Sequence, residues 1–182
     1  ISIGLVGSEM CIRDSSVPAG RGFHWEKTID VKVAGNILIK NSDGNIFVVN
    51  EIKLEQYLAS VATSEMGSAC PPALLEAQTI VARSWIIAAS EQKHATLGID
   101  ACNDDCCQRY QGITNITNKS KQASKKTFGH FLIYDDQICD TRYSKSCGGI
   151  SENNENVFSS EETNEKDEED LEIPAFLRRQ KN

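Results

Sequence analysis

The sequence predicts an α+β fold, in which small antiparallel sheets pack with two central helices and a cysteine-rich loop. Three observations carry this reading. Apolar residues alternate or run in short stretches between turn residues from Gly22 to Asn50, the signature of strands. Helical spacing takes over on both sides of Pro71-Pro72. Strand patterns then return after Phe131. Elements that are segregated in this way, and do not alternate as βαβ units, indicate an α+β domain.

Taken in order, Ile29, Val31 and Val33 alternate, and Ile37-Leu38-Ile39 and Ile46-Phe47-Val48-Val49 are short apolar runs. Gly35-Asn36 and Asp43-Gly44-Asn45 lie between them as tight hairpin turns, so one small antiparallel sheet is expected. Leu54, Tyr57, Leu58 and Val61 mark an amphipathic helix ending close to Glu65. Pro71-Pro72 suits the first turn of a second helix, where the missing proline N–H would have no partner anyway. Its buried face is predicted to carry Leu74, Gln78, Val81, Trp85 and Ala88. Lys119 to Lys126 reads as a solvated helix, and Phe131–Tyr134, a turn at Asp135-Asp136 and Ile138–Tyr143 read as a second hairpin.

Residues 16–182 are expected to form a single domain, incomplete at both ends, with an acidic mobile loop at 151–170 and a return to order at Ile173–Arg178. Residues 1–15 closely resemble a sequencing adapter translated in frame, and are set aside with Cys11 as an artefact. Net charge is −7, but Glu152–Asp170 alone holds nine acidic residues and one lysine, which leaves the rest of the chain at +1. A near-neutral body gives no hint of nucleic-acid binding, and no nucleic-acid partner is expected. No apolar run in the visible chain is long enough to span a bilayer.

Two groups of residues carry chemistry. The two helices would bring the Glu65 carboxylate and the Arg83 guanidinium near each other, an arrangement suited to acid/base work. Taken alone, a Glu near a helix end reads more often as a solvated charge or a cap. Of seven cysteines, Cys102, Cys106 and Cys107 lie within six residues, with His94 eight positions before Cys102. Thiolate and imidazole suit tetrahedral zinc, and adjacent cysteines rarely bond to each other. The residues alone leave zinc and disulfides equally open. Cys147 reads either as a nucleophilic thiol or as one of several small residues, with Gly148 and Gly149, that let backbone approach a ligand. Cys70 and Cys139 read as core or bridge residues.

Residues 51–85, with Asp100–Gly112 (DACNDDCCQRYQG) and Tyr143–Gly149 (YSKSCGG), resemble the sporulation stage II protein D family, and Arg21–Glu26 extends the match. The family includes peptidoglycan lytic transglycosylases and amidase enhancers. Arg21–Trp25 and Asp104–Gly112 are most similar to its Bacteroidetes-type members, which do not form spores. The resemblance implies an extracytoplasmic cell-envelope protein acting on peptidoglycan glycan strands, with a cell-wall amidase as a further partner. It implies Glu65, Arg83 and Tyr143 as catalytic residues, with Arg83 holding substrate or backbone. Ser144, Gln108, Tyr110, Gly148 and Gly149 would bind substrate. It also implies a structural zinc on Cys102, Cys106, Cys107 and His94, with Cys106 standing where the family usually has histidine. Two other readings stand beside the enzyme: a non-catalytic glycan-binding amidase enhancer, and a purely structural zinc module.

Overall fold

The structure, a computed structural model, describes residues 3–5, 12–22, 24–42, 44–88 and 93–145. Cys11, Cys147, Gly148, Gly149, the acidic stretch 151–170 and Ile173–Arg178 lie outside the described residues. The chain divides into a unit ending at Tyr143 and a second beginning at Ser144, and every described strand and helix belongs to the first.

Seven strands and three α-helices are described, in the order β1 (Ile3–Leu5), β2 (Ile12–Ala19), β3 (Lys27–Val33), β4 (Asn36–Ser42), β5 (Asn45–Glu51), α1 (Leu54–Met66), α2 (Pro72–Ala88), α3 (Asn118–Lys126), β6 (Ile133–Tyr134) and β7 (Gln137–Ile138). The fold is α+β with small antiparallel sheets, as expected. The front strands do not make one sheet, however. β4 and β5 pair as a hairpin, Ser42 opposite Asn45, with β1 at their edge, whereas β3 pairs with β2. Gly35 is therefore no hairpin turn but the link between two sheets. It sits at φ 86°, where a Cβ would lie 2.2 Å from the Glu51 carbonyl oxygen, so only glycine passes there without strain. Residues 1–15, set aside from the sequence, supply β1 and the start of β2.

Gly67 ends α1, its N–H donating to Thr63 O at 2.9 Å, and this leaves Glu65 in the last turn. Leu58 and Val61 of α1 pack with Ala82 of α2, and Ala62 packs with Leu75 and Ala123. Cys70 joins that second cluster and donates to Met66 O, so it is a core thiol.

The predicted face of α2 needs correction. Leu75, Gln78, Thr79, Ala82, Arg83 and Ser84 are buried, while Leu74 is 42% exposed. Helix α2 is covered by both α1 and α3, and polar side chains fill much of the shared interior, so the predicted stripe meets the fully buried one at Gln78 while Val81, Trp85 and Ala88 are half-buried. Nor is α3 solvated all round. Ser120, Ala123 and Ser124 are buried against α1 and α2, and Thr117 and Ser120 close its N-terminus as a capping box. The second hairpin is short, its Asp135 and Asp136 both at positive φ (50° and 57°), as a type I′ turn requires.

Between the cysteine loop and α3 the chain crosses β3. Gly112 is buried there, accepting at its carbonyl from Ser60 Oγ, while Ile113 N–H donates to Lys32 O at 2.6 Å. A Cβ on Gly112 would lie 2.1 Å from Lys32 O, at φ +61°. Gly112→Ala is accordingly expected to cost about 2 kcal/mol or more, because backbone and not a movable side chain blocks the space. Chemical denaturation measures it, and an unchanged midpoint would contradict the crossing.

Candidate active site and metal centre

Glu65 lies where α1 ends and the segment after the cysteines passes over it. Arg109 N–H donates to Glu65 Oε1 at 2.7 Å, and Tyr143 OH donates to the same oxygen at 3.3 Å. Burial pushes the Glu65 carboxyl above the usual carboxylate range, against the pull of the Arg109 N–H, and the negative end of the α1 dipole acts in the same direction as burial. The Tyr143 phenol is pushed upward by burial first and by the Glu65 charge next, so it stays protonated and remains a donor. Among the described residues both donors meet Oε1, which leaves Oε2 as the oxygen to carry a proton.

Three neighbours hold this corner in shape. Tyr57 OH donates to Gln108 Oε1 at 2.8 Å, and Gln108 Nε2 donates to Ala82 O at 3.2 Å. Tyr110 stacks on Tyr57 with ring centroids 5.4 Å apart and donates to Asn50 Oδ1 at 2.6 Å. Burial pushes the Tyr110 phenol up to about 12. Gln108 has no exposed surface, so in this structure it does not reach a substrate as expected but ties the segment to α1 and α2. The Arg109 side chain lies over the Trp25 ring, 4.2 Å from its centroid, and pairs with Asp105 at 3.1 Å. Ser144 is exposed.

Arg83 is not at the Glu65 carboxylate. Its guanidinium, 1% exposed, makes a bidentate pair with Glu55, Nε to Oε1 at 3.0 Å and Nη2 to Oε2 at 2.8 Å, and donates to His130 O at 2.8 Å. Ser124 Oγ adds a 2.5 Å bond to Glu55 Oε2. A charge this deep is satisfied by a planar partner, and Glu55 supplies it from one face of α1 while Glu65 sits at that helix's end. Arg83 thus holds backbone at His130.

The cysteine loop forms a compact donor cluster. The ligand atoms of His94, Cys102, Cys106 and Cys107 all lie within 4.8 Å of one another. Cys102 and Cys106 sulfurs are 3.0 Å apart, Cys106 and Cys107 sulfurs 4.0 Å, and His94 Nε2 is 3.7 Å from Cys106 Sγ. A tetrahedral zinc with bonds of about 2.3 Å places its sulfurs roughly 3.8 Å apart, so the set fits one ion. The described cysteines are free thiols, which favours a metal over bridges. Hydrogen bonds from Cys102 and Cys106 hold the Cys107 thiol down near 3, while the Cys106 thiol is pushed upward. Three crowded sulfurs cannot all ionise without a cation. Lys93 Nζ donates to Cys106 O, and Asp104 receives the Gly20 and Arg21 N–H groups, so this loop also anchors the segment before Trp25.

No sequence signal points to the Arg109 N–H, since a backbone donor leaves no mark there. The segment that carries it follows Cys107 by two residues. The family model described as Stage II sporulation protein (SpoIID) matches residues 42–134, about half of the chain. The chain belongs to the SpoIID family. The match runs from the end of β4 through β6, covering Glu65 and the cysteine cluster. SpoIID proteins are associated with peptidoglycan degradation and the cell wall. A relative in Brachyspira hyodysenteriae, described as an uncharacterized protein, is 27% identical over 128 residues, 70% of this chain. The chain spans 35% of the length of that relative. Among the described residues, no helix is long and apolar enough to cross a membrane.

Proposed function

We propose that this SpoIID chain is a peptidoglycan lytic transglycosylase, with Glu65 as its sole acid/base. The observation that carries the reading is a half-buried carboxyl with raised proton affinity, held by two donors on one oxygen and free to carry a proton on the other. Glu65 Oε2–H protonates the glycosidic oxygen as the bond from C1 to that oxygen breaks. The resulting carboxylate then takes the proton of the sugar's own 6-hydroxyl as O6 bonds to C1. The proton returns to Glu65, no water is consumed, and a 1,6-anhydro ring closes the product. Hydrolases need a second carboxylate to direct a water or form a covalent adduct. Here the nucleophile is tethered to the substrate, and that intramolecular advantage makes one carboxyl sufficient.

Tyr143 steadies the carboxylate once it has given up its proton, and the Arg109 N–H does the same from the opposite segment. Arg83 acts at a distance, by fixing α1 against α2 and α3. Ser144, Gly148 and Gly149 are proposed to contact the glycan, with Tyr110 as a wall. The protein incubated with isolated sacculi is expected to release fragments that mass spectrometry identifies as 1,6-anhydro sugars. Release of reducing ends only, or binding without release, would overturn the reading. Binding without release is what an amidase enhancer predicts.

His94, Cys102, Cys106 and Cys107 are proposed to hold a structural zinc. Bound there, the ion would supply loop rigidity and charge neutralisation, with no open position for substrate. Elemental analysis is expected to give one zinc per chain. Chelation should lower the melting temperature and free the segment bearing Arg109, with glycan cleavage falling in parallel. Full stability after complete zinc removal would exclude the structural role.

A further inference from the structure

From Glu65 outward, the segment 108–112 divides its side chains between two sides. Gln108 and Tyr110 bond to Tyr57 and Asn50, and Gly112 is buried against Ser60 and β3. The residues between them, Arg109 and Gln111, make their contacts elsewhere. Arg109 lies on Trp25. Gln111 lines a cavity of about 240 Å³ with Lys27, Ile29, Asp30, Thr114 and Asn115. Lys27 follows Trp25 by two residues, as Gln111 follows Arg109. Two residues of chain reach at most about 7 Å. One wall of the cavity, Gln111, thus lies two residues from the Arg109 N–H on Glu65, and another, Lys27, two residues from the Trp25–Arg109 stack.

We propose that this cavity is a glycan subsite for an N-acetylated amino sugar neighbouring the one being cut; it rests on the glycan-cleaving reading above. Asn115 Nδ2 donates to Gln111 Oε1 at 2.8 Å, which fixes the two amides relative to each other. That bond uses one donor and one acceptor and, among the described residues, leaves the Gln111 NH2 and the Asn115 carbonyl oxygen as a matched pair for the C=O and N–H of an acetamido group. Ile29 offers apolar surface to a sugar's C–H face, and the exposed Lys27 ammonium sits at the rim, where hydroxyls or a muramyl carboxylate pass. The volume admits one pyranose and not a longer stretch. Such a site selects for strand length, because only a chain reaching past the scissile bond fills it.

Isothermal titration on the Glu65→Gln chain, which binds without cutting, tests this with β-1,4-linked N-acetylglucosamine dimer and tetramer. The tetramer is expected to bind about tenfold tighter than the dimer, the gain from one additional occupied sugar site. Gln111→Ala with Asn115→Ala on that background should bring the ratio back to about one. A ratio unchanged by the double substitution overturns the subsite while leaving the glycan reading intact. If no oligomer binds and sacculi do not either, the glycan reading fails instead. Should the double variant lose its helical circular dichroism, Gln111→Ala alone is judged by the same ratio.

Discussion

Glu65→Gln is expected to reduce the release of 1,6-anhydro fragments by about 10²–10⁴-fold, the usual span for removing a general acid and base. Glutamine retains the acceptor that Arg109 N–H and Tyr143 OH meet, so the corner should keep its shape and sacculus binding should persist. Parallel loss of binding and release would point to a folding defect. Residual activity near that of the unaltered chain would remove Glu65 from the reaction. The pH profile of the unaltered protein gives an independent check. An acid that must begin protonated loses activity as pH rises through its folded-state pKa, and burial has raised that value. The alkaline limb should therefore lie above the ordinary carboxylate range. Stability follows the same sign: the folded chain holds the Glu65 proton more tightly than the unfolded chain, so this group's contribution is present at low pH and is lost as pH rises through the raised pKa. Glu65→Gln should flatten that loss.

The largest effect on stability is expected from Arg83→Ala. The Arg83–Glu55 pair is 2% and 27% exposed at its two side chains, and it ties α1 to α2, with Ser124 and Thr127 adding α3 and its cap. Among the described residues, removing the guanidinium leaves the Glu55 carboxylate with the Ser124 hydroxyl and takes a donor from His130 O. Breaking one side of such a pair costs about 3–5 kcal/mol, or roughly 10 °C in melting temperature for a chain of this size. Arg83→Lys should fall between, since an ammonium cannot make the two-pronged contact. Calorimetry separates these outcomes, and a loss under about 1 kcal/mol for Arg83→Ala would show that the pair contributes little. Catalysis should fall only as far as folding does, because the guanidinium does not touch Glu65.

What the sequence made legible has a physical pattern. Leu58 and Val61 bury as their spacing requires, and Gly67 stops α1 where Glu65 was expected to stand near its end. The donors His94, Cys102, Cys106 and Cys107 could be grouped because three of them are neighbours in sequence, so little chain has to fold to bring them together. Gln78 was placed on the buried face of α2, but the rest of that face was misread because Thr79, Arg83 and Ser84 are buried polar residues, which an apolar period does not count. The Arg83 ion pair with Glu55 was not legible for a related reason. The partner lies 28 residues upstream, and two glutamates on one helix look alike until α3 closes over one of them. The split between β3 and β4 was hidden too, since a Gly-Asn pair marks a change of direction without saying whether the strands on either side will meet.

The alternation along 108–112 bears on which sequence changes this crossing can absorb. Inserting or deleting one residue would exchange the two sets, turning Arg109 and Gln111 toward Tyr57 and β5 and sending Gln108 and Tyr110 outward. A change of two residues would preserve the phase and alter only reach. Length variants of this loop are therefore expected to survive in even steps.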